Sequence, residues 1–110
     1  MNLQIKHEET KGVHYLILAG EVDAYTAPKL KEVLVPLTEE KNVQIMIDLQ
    51  HIDYMDSTGL GIFVGALKST KKNDSSLKLR GMTERVKRLF EITGLTEVMD
   101  IDNEVKGEAR

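Results

Sequence analysis

Leu3 and Ile5 alternate with polar Gln4 and Lys6, the period-two pattern of a strand with one buried face. Residues 8–12 are polar and end in Gly12, which reads as a turn. In residues 13–19 nearly every position is apolar, with Val13, Tyr15, Ile17 and Ala19 on one face and Leu16 and Leu18 on the other. A strand apolar on both faces belongs inside a sheet. Two strands joined by a short turn predict a hairpin. Residues 20–23 end the second strand. Thr26, followed by Ala27 and Pro28, predicts a helix start, because the hydroxyl can accept from an orphan amide and proline has no amide to satisfy. Leu30, Val33, Leu34 and Leu37 then recur at helical spacing, with Lys29, Lys31 and Glu32 as the solvated face. Pro36 is expected to kink or end this helix.

Val43, Ile45, Ile47 and Leu49 mark a third strand, with Met46 on its opposite face. A polar loop is expected after Leu49, then a second helix over Ser57–Lys72. Residues 73–76 form a turn cluster. Leu77 and Leu79 alternate with Lys78 and Arg80 as a more exposed strand. Thr83 is expected to cap a third helix with apolar positions Val86, Leu89, Phe90 and Thr93, and Gly94 is a left-handed stop. Residues 98–101 suit a last short strand. Residues 103–110 carry one large apolar side chain and are expected to form a mobile tail. The whole reads as α/β: a mixed, mainly parallel sheet of four to five strands with three or more helices and right-handed crossovers. With no internal repeat or low-complexity linker, residues 1–102 are expected to form one domain.

Composition narrows the function classes. The chain has 110 residues, a formal charge of −3 and no cysteine. Disulfides, thiolate chemistry and cysteine-based zinc sites are excluded, and the expected setting is a reducing cytoplasm. The negative balance gives no global pull toward nucleic acid or anionic lipid. No apolar run approaches the roughly 20 residues that cross a bilayer, and the alternating, polar N-terminus does not read as a signal peptide. Lys68, Lys71, Lys72, Lys78, Arg80, Arg85, Lys87 and Arg88 enrich the second half in positive charge, but few aromatics are interleaved, so a solvated face is expected.

The polar chemistry concentrates at residues 53–65, where two carboxylates, two hydroxyls and a glycine precede an apolar helix. The structural reading makes Ser57 the helix N-cap, with Thr58 and Gly59 in the first turn. The functional reading makes Ser57 a modification site, and the two are compatible. A phosphoryl group adds about −1.5 to −2 charges at neutral pH. Helix-end amides favour it by a few tenths to about 1 kcal/mol, while Asp53 and Asp56 repel it, so the fold should survive. At a protein interface nothing need cancel. Like charges about 4 Å apart at an effective dielectric near 20 cost about 4 kcal/mol, which is roughly a thousandfold in affinity.

Other uses of the same residues are weaker. Asp53 and Asp56 with His51 could be metal ligands or an acid/base set, but solvated loop residues are the plainer reading. A small hydrolase using Asp53, Asp56 and Ser57 would need a base and an orienting group, and the other histidines, His7 and His14, lie in strand-like segments. Gly59, Gly61 and Gly65 loosely resemble a dinucleotide fingerprint, but the expected polar loop separates them from the strand. Gly61 and Gly65, one turn apart, would instead let the helix lie close to the sheet or a partner. No cofactor is expected, and with no P-loop any phosphoryl donor must come from a partner enzyme. Leu60, Phe63, Val64 and Leu67 make one helix face, while Ile62 and Ala66 point elsewhere. Either the helix is covered on two sides or part of it is a docking patch.

Asp53-Tyr-Met-Asp-Ser-Thr-Gly-Leu-Gly-Ile-Phe-Val-Gly65 resembles the phosphorylation loop and following helix of bacterial anti-sigma factor antagonists, the STAS-domain family. Gly20-Glu-Val-Asp-Ala-Tyr-Thr-Ala-Pro28 resembles the family's other signature segment, and Arg88-Leu-Phe-Glu-Ile-Thr-Gly-Leu95 its C-terminal helix. The similarity runs from about Leu3 to Ile101 and is closest to the branch acting on the general-stress (sigma-B) anti-sigma factor of Gram-positive bacilli. The resemblance implies a STAS fold and a binding module that is not an enzyme. Its unphosphorylated form would bind an anti-sigma factor serine kinase, with ATP held by the kinase, and so release the sigma factor. Phosphorylation at Ser57 would break the complex, and a PP2C-type phosphatase would restore it. Asp23 matches the family's acidic position near the loop, and Asp56 the residue before the serine. Thr58 matches a hydroxyl position, so the choice of Ser57 rests on the resemblance. Partner contacts are implied at Asp23, Asp56, Thr58, Gly59, Gly61 and Ile62. A non-switching STAS scaffold in a stress-signalling complex remains the alternative.

Overall fold

In a computed structural model, which describes residues 2–102, five strands form one sheet in the order β1-β2-β3-β4-β5. The strands are β1 (Leu3–Thr10), β2 (Val13–Val22), β3 (Gln44–Met55), β4 (Ser76–Arg80) and β5 (Asp100–Asp102). β1 pairs antiparallel with β2 and every other pair is parallel. The helices are α1 (Ala27–Thr38), α2 (Ser57–Lys72) and α3 (Glu84–Ile92), with a 3-10 turn at Leu95–Glu97. The predicted mixed, mainly parallel α/β sheet is present, and the hairpin turn tightens to Lys11 and Gly12. Residues 103–110, where a tail is expected from the sequence, lie outside the described residues.

The topology places all three helices on one face. Successive parallel strands step in one direction, so crossovers of one hand deliver their helices to the same side. The burial pattern agrees. On β2, Leu16, Leu18 and Val22 are buried, whereas Tyr15, Ile17 and Ala19 on the other face are not. The doubly apolar pattern of residues 13–19 therefore does mark an interior strand, but its second face is only half-covered. Phe63 of α2 meets Phe90 of α3 with ring centroids 6.2 Å apart, closing the helical layer.

Three local expectations change. First, β3 does not end at Leu49 but runs to Met55. Its buried positions are Ile45, Ile47 and Leu49 at a spacing of two, then Ile52 and Met55 at a spacing of three. The register with β2 shifts between Ile17 and Ala19 and again between Gly20 and Glu21, where β3 carries one extra residue each time. Such bulges break a period-two reading, and the polar residues between them resemble a loop. Second, Pro36 does not end α1 at its own position. The missing amide falls in the last turn, Thr38 Oγ1 donates to the Val35 carbonyl at 2.7 Å, and buried Leu37 and Thr38 hold the helix end down. Third, the last strand begins at Asp100 rather than at 98, after the 3-10 turn, and Val98 is exposed. The expected cap and stop of α3 hold, since Thr83 Oγ1 accepts from the Val86 amide at 3.3 Å and Gly94 has φ +79°, whereas Thr93, expected among the apolar positions, is the exposed C-cap. Val86 and Phe90 are the buried α3 positions.

Candidate functional site

The register pairs Val22 with Met55 at the carboxyl ends of neighbouring parallel strands. Asp23 and Asp56 each follow one of these residues, so they leave the sheet side by side. The carboxyl ends of parallel strands are where open α/β sheets present ligand-binding loops. The Asp56 amide donates to the Val22 carbonyl at 3.2 Å and ties the two segments together.

The chain turns into α2 through Asp56, not Ser57. Asp56 is the N-cap: its backbone is extended, and Oδ1 accepts from the Gly59 amide at 3.0 Å. Aspartate caps as well as serine does and adds a charge favoured at the helix N-terminus. The predicted capping role of Ser57 is therefore corrected. Ser57 is the first helical residue and is exposed, as is Thr58 after it. Among the described residues the Ser57 hydroxyl takes part in no hydrogen bond.

A parallel exchange occurs at α1. Thr26 makes no side-chain cap. Its hydroxyl accepts from the Asp23 amide and donates to the Glu21 carbonyl, both at 2.9 Å. Asp23 Oδ1 takes the amides of Tyr25 and Thr26 at 2.9 and 3.0 Å. The acidic side chain satisfies the turn and the hydroxyl braces it, reversing the roles expected from the Thr-Ala-Pro sequence.

The glycines also separate. A Cβ on Gly59 would stand 2.6 Å from Val22 Cγ1 and 2.8 Å from the Val22 carbonyl oxygen. Gly59 is what lets α2 start against the sheet. A Cβ on Gly61 or on Gly65 would meet nothing within 4 Å, and both residues are exposed. They do not bring α2 close to the sheet, which corrects the first half of that expectation and leaves the half that concerns a partner. They leave a bare backbone face running from Ser57. Ile62 and Ala66 are buried and, with Leu34 and Val35, border a groove between α1 and α2. The helix is covered on two sides, and Ile62 is 7% exposed on the wall of that groove. Of the expected contact residues, Asp56, Thr58 and Gly61 share one accessible end of α2 with Ser57, while Asp23, Gly59 and Ile62 are buried.

Beside Asp23 and Asp56 lies an open cleft of about 380 Å³ lined by Glu21, Asp23, Tyr25, Asp53, Tyr54 and Arg85, among others. Glu21, Tyr25, Tyr54 and Arg85 are additions that residue types alone do not single out. Glu21 pairs in register with Tyr54, a relation visible only once β3 is known to continue. His51 lies in β3, and its ring contacts the neighbouring Gln50 side chain at 3.2 Å. Among the described residues no three His, Cys, Asp or Glu side chains are placed to hold a metal ion. The basic residues are spread over α2, β4 and α3 rather than gathered in one stripe.

The family model for the STAS domain matches residues 4–107. The chain is 47% identical over 108 residues to a Listeria monocytogenes protein named anti-sigma-B factor antagonist, covering 98% of this chain and 93% of that protein. It is 44% identical over 102 residues to a Staphylococcus epidermidis protein of the same name, covering 93% and 94%. A solved structure of an anti-sigma factor antagonist from Mycobacterium paratuberculosis superposes with a TM-score of 0.78 at 24% identity, covering 94% of this chain and 88% of that one. With the five-stranded sheet, the aspartate-capped helix and a match over nearly its full length, this chain belongs to the STAS-domain family, beside relatives named anti-sigma-B factor antagonists.

Proposed function

We propose that this chain is a phospho-switched anti-sigma factor antagonist and that Ser57 is its switch. The observation that carries the reading is the division of labour at the start of α2. Asp56 satisfies the helix end, so the exposed Ser57 hydroxyl has no structural duty. It can be modified without uncapping the helix. Thr58 is equally exposed, and the preference for Ser57 comes from the family pattern. The unmodified chain binds an anti-sigma factor that is also a serine kinase, and the sigma factor is released. The docking face is the accessible end of α2, with Asp56, Thr58 and the bare backbone at Gly61. A phosphoryl group there sits beside Asp56 and, across an interface, repels acidic partner groups with an energy of about 4 kcal/mol. A PP2C-type phosphatase reverses the change. The setting that suits this activity is the cytoplasm, with neither membrane nor direct nucleic-acid contact.

The test pairs chemistry with binding. Incubation with an anti-sigma-B kinase and ATP should add one phosphate, located at Ser57 by mass spectrometry. Ser57→Ala should retain kinase binding, and Ser57→Asp should weaken it by about a hundredfold or more. Equal affinities for the two variants, or phosphate on Thr58 alone, would refute the assignment.

A further inference from the structure

His7 and His14 take no part in the candidate site. They meet near the hairpin turn, at the end of the sheet away from Ser57. His14 is 2% exposed, yet both of its ring nitrogens are engaged. Nδ1 lies 3.0 Å from Nε2 of His7, and Nε2 lies 3.0 Å from Oε1 of Glu40, in the turn after α1. The His7 and Glu40 side chains reach solvent. The two bonds tie β1, β2 and the end of α1 together.

The chemistry of these groups fixes where the protons sit. An ionised carboxylate only accepts, so His14 Nε2–H donates to Glu40. A neutral imidazole bears one N–H. His14 Nδ1 is therefore bare and accepts from His7 Nε2–H. This chain admits one added proton. It enters on His7 Nδ1 and leaves His7 Nε2–H donating as before, or it enters on His14 Nδ1 while His7 presents a bare Nε2. A second proton puts an N–H on both facing nitrogens and breaks the bond between them. It also leaves two like charges with ring centroids 5.1 Å apart.

The surrounding groups do not lift that block. Glu9 of β1 lies opposite His14 and is exposed, and Ile45 of β3 lies beside it. Lys41 follows Glu40 and is exposed. Ser75 Oγ donates to the Glu40 carbonyl at 2.7 Å and does not titrate. Glu9 and Glu40 draw positive charge toward the rings and Lys41 opposes it, but none of them stands between the two facing nitrogens.

We propose that His7, His14 and Glu40 form an acid-sensitive latch, closed while the two imidazoles hold at most one added proton between them and broken at the His7–His14 bond when both are charged, which loosens the hairpin end. The inference does not rest on the phospho-switch, since it needs neither a kinase nor a modified serine. Its sign follows from counting protons. In acid the unfolded chain charges both rings, whereas the closed latch holds one added proton. The unfolded chain binds more protons, so stability falls as pH falls through the histidine range.

His7→Gln separates the latch from other titrations. Its side-chain amide can donate to a bare His14 Nδ1 or, turned over, accept from Nδ1–H, so charging His14 breaks nothing. Urea unfolding should be followed from about pH 8 to about pH 5. The unfolding constant of the unaltered chain should rise faster than that of His7→Gln, by up to about tenfold per pH unit for one proton of difference. His51 and the carboxylates are common to both chains and cancel. Ring 15N spectra of the unaltered chain at about pH 8 should show His14 as the Nε2–H tautomer. Equal pH dependence of the two chains would overturn the proposal, and so would an Nδ1–H tautomer at His14. The tautomer measurement needs no substitution, so it decides the matter if His7→Gln fails to fold.

Discussion

Gly59, Gly61 and Gly65 lie on one helix and do different work. At Gly59 the obstacle to a side chain is partly the Val22 carbonyl, which is backbone and cannot swing aside. Gly59→Ala should therefore destabilise the fold by about 1–3 kcal/mol, read from a lower urea midpoint with unchanged slope. At Gly61 a methyl group enters open space. Gly61→Ala should raise stability by about 0.5–1 kcal/mol, because alanine loses less backbone freedom on folding. If α2 docks through this face, the same substitution should weaken partner binding while the fold becomes more stable. Opposite signs from one variant separate an interface role from a folding role. None of this can be read from residue type, since the distinction lies in what stands opposite each Cα.

Among the elements, α3 is short and mostly polar, with Val86 and Phe90 as its buried anchors. Phe90 is fully buried and meets Phe63, so it links the last helix to the helix that begins at Ser57. Phe90→Ala should cost about 3–5 kcal/mol, measured by thermal or urea unfolding. The start, length and stop of α3 are legible in the sequence because the Thr83 cap and the Gly94 stop are local devices, each needing only a few residues. The span of α2 is legible for the same reason. Its N-cap is not, because Asp56 and Ser57 are both good caps, and which of them occupies the cap depends on where β3 releases the chain. Two bulges hide that point, and bulges are relations between strands that leave no local pattern.

For the whole molecule, the one-sided helical layer leaves the start of α2 at an accessible end of the sheet, away from the packed core. Charge added at Ser57 should thus alter what binds and not whether the chain folds. A surface substitution of this kind changes stability by no more than about 0.5 kcal/mol. For a domain near this size that is at most about 2–4 °C. Ser57→Asp, or the phosphorylated chain, should unfold within that range of the unmodified protein and keep its NMR dispersion. A larger fall would mean that the switch acts through unfolding.

The linear chain already carries the α/β class, the hairpin, the three helices and the stretch that holds the candidate switch. Apolar periodicity, proline, glycine and capping residues act over a few positions, so they are written locally. The motif order of residues 20–28, 53–65 and 88–95 also carries the family. Packing in three dimensions settles that Ile62 and Ala66 are covered by α1, that Gly61 and Gly65 face outward, and that Asp56 frees Ser57 from capping. It alone brings Glu21, Asp23 and Tyr54 around one cleft. Strand register and helix packing join segments roughly thirty residues apart, and a contact of that kind is fixed only when the sheet closes.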